Sequence, residues 1–205
     1  MVYKNLYNRL FLSLIFFAIY FLALNNKNLL FIFGSFIYLF VLYEVIKNFK
    51  KLFIYALFYL FLSYFCFALY LLISYEYLVF NVFVFTIILF DSFSYLSGKV
   101  LGKIFIFKFI SPKKTLEGYL GGVFFTNISL IFYYSIYTEI YIDNLITLIN
   151  SIIFFSILGD LIESYFKRKN NIKDSSKYLP GHGGYFDRFD SFIASIIMLS
   201  VFSLF

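Results

Sequence analysis

Long uninterrupted apolar runs constrain this chain more than any other feature. Each run holds about 15–24 residues, close to the length at which an α-helix crosses the hydrocarbon core of a bilayer. Apolar residues make up 62% of the 205 positions and charged residues 14%, which is too apolar for a water-soluble domain of this size. The sequence therefore predicts an all-α, polytopic membrane protein. Its seven predicted spans cover residues 10–24, 29–46, 52–74, 77–96, 118–141, 145–166 and 189–205.

The basic residues occur in alternate loops, which lie on one side of the membrane. They occur before the first span, between the second and third, between the fourth and fifth, and between the sixth and seventh, with Lys27 as the exception. Because cytoplasmic loops are enriched in Lys and Arg, we predict a cytoplasmic N-terminus and an external C-terminus, with the polar segments 98–117 and 167–190 in the cytoplasm. The same rule explains the net charge of +6, so we expect no nucleic-acid partner.

The chain divides in two by the distribution of its polar residues. Residues 1–75 contain three predicted spans and little else, and they form an N-terminal membrane unit. Residues 76–205 contain four spans and both long polar segments, and we expect any catalytic site there. The first run follows a short basic lead, but no small-residue cleavage site follows it, so we expect a retained span and not a cleaved signal peptide.

Asp91 is an acidic residue inside the fourth predicted span. A charge there costs about 2.5–3.5 kcal/mol on insertion scales, so such a residue usually faces a polar cavity or a partner. Helical spacing places Asp91 on one face with Tyr95 and Gly98. The alternative is an acid at the membrane interface that Lys99 or Lys103 neutralises.

A second polar stripe occurs in the sixth predicted span, where Asp160, Glu163, Ser164 and Lys167 share one helix face. Two carboxylates one turn apart at the membrane rim suit Mg²⁺, which prefers oxygen ligands and keeps waters and substrate phosphates as its remaining ligands. The alternative is a structural ion pair with Lys167. We favour function because two further aspartates follow shortly after.

The polar segment before the fifth span contains Ser111, Pro112, Lys113, Lys114 and Thr115. Hydroxyls, lysines and glycines at a helix start are typical of an anion site, because the helix N-terminus directs its N–H groups and dipole at a phosphate. A basic loop that sets orientation, followed by an ordinary helix cap, would show the same residues.

The densest polar stretch follows the sixth span and contains the only histidine, His182. Residues 180–184 read Pro-Gly-His-Gly-Gly and cannot form a regular helix. A lone histidine is more often structural than catalytic, but acids and bases flank this one, so we expect a functional role. No nucleotide-binding fingerprint occurs, and one cysteine with one histidine cannot form a Cys/His zinc site. These residues suit phosphoryl or nucleotidyl transfer at a membrane surface.

The same stretch resembles the signature of the phosphatidate cytidylyltransferases, also called CDP-diacylglycerol synthases. The resemblance spans about residues 91–191, with further blocks at 91–103 and 111–118, and the chain is short for that family on its N-terminal side. The signature positions are Ser164, Phe166, Lys167, Arg168, Lys173, Asp174, Ser176, Leu179, Pro180, His182, Gly183, Gly184, Asp187, Arg188 and Asp190.

The resemblance implies a reaction of CTP with phosphatidate that gives CDP-diacylglycerol and pyrophosphate, with Mg²⁺ and room for a second cation, at the cytoplasmic face of the inner membrane. It also implies Asp160 and Asp187 as metal ligands, and a homodimer is a further expectation. The implied catalytic residues are Asp160, Asp187, Lys167, Arg168, Lys173, Asp174, His182, Arg188 and Asp190. The implied substrate-binding residues are Asp91, Tyr95, Ser111, Lys113, Lys114, Thr115, Ser164, Gly183 and Gly184.

Two other functions stay open at this point. One is a CTP-dependent kinase or cytidylyltransferase that acts on another membrane lipid, such as an isoprenoid. The other is a small transporter whose acids carry protons or cations. A transporter should place polar residues at mid-membrane in broken helices, whereas the acids here cluster at one rim.

Overall fold

A computed structural model describes residue 15 and residues 17–107, 109–137, 145–179 and 183–203. Helices account for most of these residues, and outside them only two isolated β-bridges occur in the described chain, between Phe105 and Thr115 and between Leu179 and Gly183. The helices are α1 (described over residues 17–23), α2 (Lys27–Asn48), α3 (Phe53–Ile73), α4 (Tyr77–Leu101), α5 (Leu116–Tyr137), α6 (Leu145–Lys169) and α7 (Phe186–Phe202). The prediction of an all-α polytopic membrane protein is confirmed.

Four of the described helices, α2, α3, α4 and α6, are long and apolar enough to cross a membrane. Their boundaries depart from the predicted spans mainly at the C-terminal ends, since α4 continues to Leu101 and α6 to Lys169. Lys99 lies in the last turn of α4, and three basic residues lie in that of α6. Cations are favourable at a helix C-terminus, so these helices extend beyond the apolar run into the polar layer. The predicted ends at residues 10–14, 138–141 and 204–205 lie outside the described residues.

Large apolar side chains cover the outer surface of the bundle. On α3, for example, Ile54, Phe58 and Phe61 are all exposed. Exposed apolar surface on this scale would be unfavourable in water, whereas lipid tails solvate it. The outer surface of the described helices therefore fits a bilayer environment.

Helix α7 lies near the centre of the bundle. It packs most extensively against α6 and also contacts α3 and α4, while α4 packs most extensively against α5. Phe192 of α7 stacks edge-on against Phe67 of α3 and Phe83 of α4, with ring centroids 6.0 and 5.3 Å apart. The N-terminal end of α7 therefore has a fixed position relative to the C-terminal end of α6.

Gly159 lies where α6 packs tightly against α7. A Cβ atom at this position would lie 2.7 Å from the Cβ of Ala194 and closer still to the carbonyl oxygen of Asp190. Only a residue without a side chain fits so near a neighbouring backbone. This contact brings Asp160, the next residue along α6, close to Asp190 on α7.

A valine in place of Gly159 is expected to lower the stability of the bundle by about 1–3 kcal/mol, because the added methyl groups overpack the α6–α7 contact. The measurement is the midpoint of thermal unfolding in detergent. Phe154→Leu on the lipid-facing side of α6, where Phe154 is exposed, is the matched control and should leave the midpoint nearly unchanged. Equal midpoints for Gly159→Val and wild type would contradict this account of the contact.

Candidate active site

Three carboxylates converge where α6 meets α7. Asp160 and Glu163 lie one turn apart on α6 and Asp190 lies in the first turns of α7, and one oxygen from each lies within 4.8 Å of the others. Glu163 is almost fully buried and Asp190 is buried. Like charges this close repel each other in a poorly solvated place, so the cluster needs cations to balance it.

Two lysines supply part of that positive charge. Lys167 Nζ lies 2.6 Å from Glu163 Oε2 and 2.6 Å from Asp187 Oδ1. Lys114, from the loop before α5, forms an ion pair with Asp160. Burial lowers the pKa of the Lys114 ammonium, an effect that nearby carboxylates, Asp190 first, oppose. Both polar segments that the sequence singles out therefore contribute to one site.

Asp187 lies beside this cluster and is held by the segment that leads into α7. Its Oδ2 atom accepts hydrogen bonds from the backbone N–H groups of Ser175 and Gly184, each at 2.8 Å. Gly183 adopts a φ of 83°, a left-handed conformation that favours glycine. Lys167 bridges Asp187 and Glu163 of the cluster, and the role of Asp187 as a metal ligand stays a prediction.

Asp91 faces a separate space. It lies at a cavity of about 580 Å³ between α1, α2, α4 and α7, whose walls are mostly apolar. Arg188 lines the same cavity, so a carboxylate and a guanidinium occur together on an otherwise apolar wall. Asp91 therefore shares a cavity with Arg188 of α7 and lies outside the three-carboxylate cluster, and its functional role stays a prediction.

The segment at the start of α5, where an anion site is predicted, contains a helix cap. Thr115 is buried, and its Oγ1 atom accepts a hydrogen bond from the Gly118 N–H at 3.2 Å, which is ordinary N-terminal capping. Glu117 accepts hydrogen bonds from the N–H groups of Lys103 and Ile104. Thr115 and Glu117 thus satisfy local backbone groups, and Lys114 is the residue of this segment that reaches the site.

The remaining predicted residues differ in how far their side chains are buried. Arg168 is exposed on α6, and its Nε atom donates to the Ile110 carbonyl at 3.2 Å, which joins the two polar segments. Ser164 is buried on α6 and Gly184 is buried before α7. Lys113, Tyr95, Lys173 and Asp174 are exposed, and Ser111 and Gly183 are half-buried. His182 lies outside the described residues, together with Pro180 and Gly181.

Glu44 is a site residue that the sequence analysis missed. It is fully buried in α2, and its carboxylate accepts hydrogen bonds from Ser175, Ser176, Tyr185 and Phe186. The signal was present in the sequence, because Glu44 is an acid inside a predicted span and the argument applied to Asp91 applies equally to it. Its partners lie 131–142 residues away in the sequence, so no local pattern connects it with the site.

The three-carboxylate cluster suits a hard divalent cation. Carboxylate oxygens are the ligands that Mg²⁺ prefers, and Glu163 Oε1 accepts no hydrogen bond from any described residue. A buried oxygen without a donor is costly, and a bound cation would satisfy it. With the lysines beside it, the cluster can bind a cation together with the phosphate groups of a substrate.

Comparison of the sequence with known proteins identifies a family. The sequence profile of the cytidylyltransferase family matches residues 2–205. A phosphatidate cytidylyltransferase of Staphylococcus aureus (strain COL) is 43% identical over 114 residues, which are 54% of this chain and 43% of that protein. The Staphylococcus haemolyticus and Staphylococcus epidermidis proteins of the same name are 42% and 39% identical over 114 residues. The match thus spans less than half the length of these relatives.

Proposed function

Because the chain belongs to the cytidylyltransferase family, we propose that it transfers a cytidylyl group from CTP to phosphatidate. The products are CDP-diacylglycerol and pyrophosphate, and the reaction belongs to phospholipid biosynthesis. The observation that supports this best is the position of three carboxylates and two lysines at one end of an apolar helix bundle. A site at the end of membrane helices can receive a water-soluble nucleotide and a lipid headgroup together.

The reaction needs no nucleophile from the protein. A phosphate oxygen of phosphatidate attacks the α-phosphorus of CTP and forms a new P–O bond, while the bond from that phosphorus to the bridging oxygen breaks and pyrophosphate leaves with its electron pair. Positioning and charge stabilisation therefore supply the catalysis.

The basic residues of the two polar segments carry out the neutralisation in this proposal. Lys167 and Lys114 lie against the carboxylates. The exposed basic side chains at the rim would bind phosphates as the nucleotide and headgroup enter. Gly183 and Gly184 stay in the proposed substrate-binding set, and the Gly184 N–H holds Asp187 in place. The exposed residues assigned to this role are Arg168, Lys173, Arg188 and Lys113.

We assign the metal to Asp160, with Asp187 as the second ligand that the family resemblance implies and with Glu163 and Asp190 beside them. Mg²⁺ bound there would stabilise the negative charge on the phosphate oxygens, and a second cation could share the four carboxylates. His182, Asp174 and Asp190 stay in the proposed catalytic set, and Asp91, Tyr95, Ser111, Thr115 and Ser164 stay in the proposed substrate-binding set.

The protein is a multi-pass membrane protein, and we propose that it resides in the inner membrane with this site facing the cytoplasm, where CTP is available. Lys47, Lys50 and Lys51 lie on the same side of the bundle as the site, since Lys50 and Lys51 donate N–H hydrogen bonds to Asn170 just beyond α6. This agrees with the positive-inside rule. A homodimer is part of the same proposal.

An assay with labelled CTP tests the proposal. Purified protein with phosphatidate, Mg²⁺ and CTP labelled at the α-phosphorus should transfer the label to lipid, and EDTA should abolish the transfer. CTP labelled at the γ-phosphorus should release label as pyrophosphate.

The same assay separates the alternatives. Transfer of the γ-label to lipid would identify a kinase. Transfer of the α-label to an isoprenyl phosphate but not to phosphatidate would change the lipid substrate. Absence of transfer to any lipid, with cation flux into vesicles, would favour a transporter.

A further inference from the structure

We propose that Glu44 is a positioning residue, which holds the described parts of the segment before α7, residues 175–179 and 183–186, so that Asp187 and Lys167 keep their places beside the carboxylate cluster. This inference rests on the proposed function for its catalytic consequence, but the contacts themselves do not depend on it. Glu44 belongs to α2, and its partners are 131–142 residues away in the sequence.

Four hydrogen bonds converge on the Glu44 carboxylate. Oε1 accepts from Ser176 Oγ at 2.6 Å and from the Tyr185 N–H at 2.8 Å. Oε2 accepts from Ser175 Oγ at 2.9 Å and from the Phe186 N–H at 3.0 Å. The carboxylate is fully buried and has no ion pair among the described residues, so these donors compensate its charge.

Two of the donors belong to the start of α7. The first N–H groups of a helix need partners from outside the helix, and the capping residue of α7, Tyr185, provides no side-chain hydrogen bond. Glu44, which belongs to α2, provides the acceptors for the N–H groups of Tyr185 and Phe186. A negative charge at the positive end of the helix dipole is favourable, which explains why an acid occurs inside an apolar span.

Ser175 connects Glu44 to Asp187. Its Oγ atom lies 2.9 Å from Glu44 Oε2 and 2.9 Å from Asp187 Oδ2. A serine hydroxyl has a single hydrogen, and Asp187 Oδ2 already accepts two backbone N–H groups, so the hydroxyl hydrogen is available to Glu44. A continuous chain of contacts then runs from Glu44 through Ser175 and Asp187 to Lys167.

The close packing around Gly184 also supports a positioning role for Glu44. A Cβ atom at Gly184 would lie 2.6 Å from Glu44 Oε2 and 2.8 Å from Oε1. Gly184 therefore packs directly onto the Glu44 carboxylate. Any change in the length or charge of this side chain must move the segment.

The test uses Glu44→Gln in the full-length protein, because glutamine keeps the shape. Its amide NH₂ group would face a backbone N–H, which cannot accept a hydrogen bond, so one N–H group near the start of α7 loses its acceptor. We expect trypsin to cleave after Lys173 and Lys177 at least about 10-fold faster than in wild type, while cleavage after Lys50 and Lys51 stays unchanged. The factor reflects the loss of about 1–3 kcal/mol when a buried donor is left unpaired.

A second readout separates positioning from a general loss of folded protein. The Mg²⁺ concentration for half-maximal activity should rise about 10–100-fold in Glu44→Gln, as is typical when the support of a metal site is removed. A smaller folded fraction would lower the rate without moving this concentration. Ser175→Ala, which removes only the hydroxyl link, should change both readouts in the same direction but less.

Glu76→Gln is the matched control, because Glu76 lies before α4 and outside the site, and it should behave as wild type. Unchanged cleavage after Lys173 and Lys177 in Glu44→Gln would overturn the proposal, and so would faster cleavage with an unchanged Mg²⁺ requirement. If the wild-type protein itself shows no transfer from CTP to phosphatidate, the proposed function fails, and the cleavage result alone then decides whether Glu44 holds the segment.

Discussion

Asparagine in place of Asp160 is expected to reduce turnover at least about 100-fold while the protein still inserts into the membrane. The substitution keeps the shape of the side chain but removes one charge from the carboxylate cluster and the partner of Lys114. Loss of one preorganised electrostatic group typically costs 10²–10³-fold in rate, as an order of magnitude. The measurement is steady-state transfer from α-labelled CTP in proteoliposomes, normalised to inserted protein.

Asp187→Asn should show a comparable loss of turnover, for a different reason. Asp187 Oδ1 lies 2.6 Å from Lys167 Nζ, and Oδ2 accepts backbone hydrogen bonds, so the variant disturbs both the proposed metal ligand and the segment before α7. Near-normal activity of both variants would rule out the metal assignment. Activity lost in Asp160→Asn alone would move the second ligand from Asp187 to Glu163 or Asp190.

Methionine in place of Lys167 is expected to produce the largest loss of stability among these changes. Lys167 is the cation between Glu163 and Asp187, whose side chains are only 1% and 9% exposed. Removal of one partner from a buried ion pair costs about 3–5 kcal/mol, because the other charge is left uncompensated. We expect a lower midpoint of thermal unfolding together with loss of transfer activity.

The control for this prediction lies on the same helix. Lys169 is exposed, with its ammonium 5.5 Å from the centre of the Tyr165 ring, and Lys169→Met should leave stability and activity nearly unchanged. Glu163→Gln combined with Lys167→Met should recover part of the lost stability, because it removes the uncompensated charge. A double variant no more stable than Lys167→Met would show that repulsion at Glu163 is not the cause.

The sequence was sufficient to predict the helices and the polar face of α6 that contributes to the site. In a bilayer every backbone polar group must be paired within the protein, so long apolar runs leave little choice but helices. The spacing of Asp160, Glu163 and Lys167 follows directly from the helical period. The ion pair between Lys167 and Glu163 was the alternative interpretation of that stripe, and it coexists with the carboxylate cluster.

What the sequence could not provide were the contacts between distant segments. Asp190 joins the cluster because α7 approaches α6 at Gly159, and the rotation of one helix against another is not encoded in a local pattern. The reach of Lys114 to Asp160 depends on a loop folded by its own hydrogen bonds. Thr115 was assigned to substrate, whereas its hydroxyl accepts a hydrogen bond in the helix cap. Its role toward substrate, like that of His182, stays a prediction.

The hydrogen bonds of Glu44 also bear on how such a protein can be re-engineered. By length and hydropathy, helices α2 and α3 resemble any other pair of membrane-spanning helices, and a designer could exchange them for another pair of similar length. A chimera built that way would keep its membrane attachment yet leave Tyr185 and Phe186 without their acceptor. A chimera that joins residues 76–205 to other helices therefore needs an acid at the position that Glu44 occupies beside the start of α7.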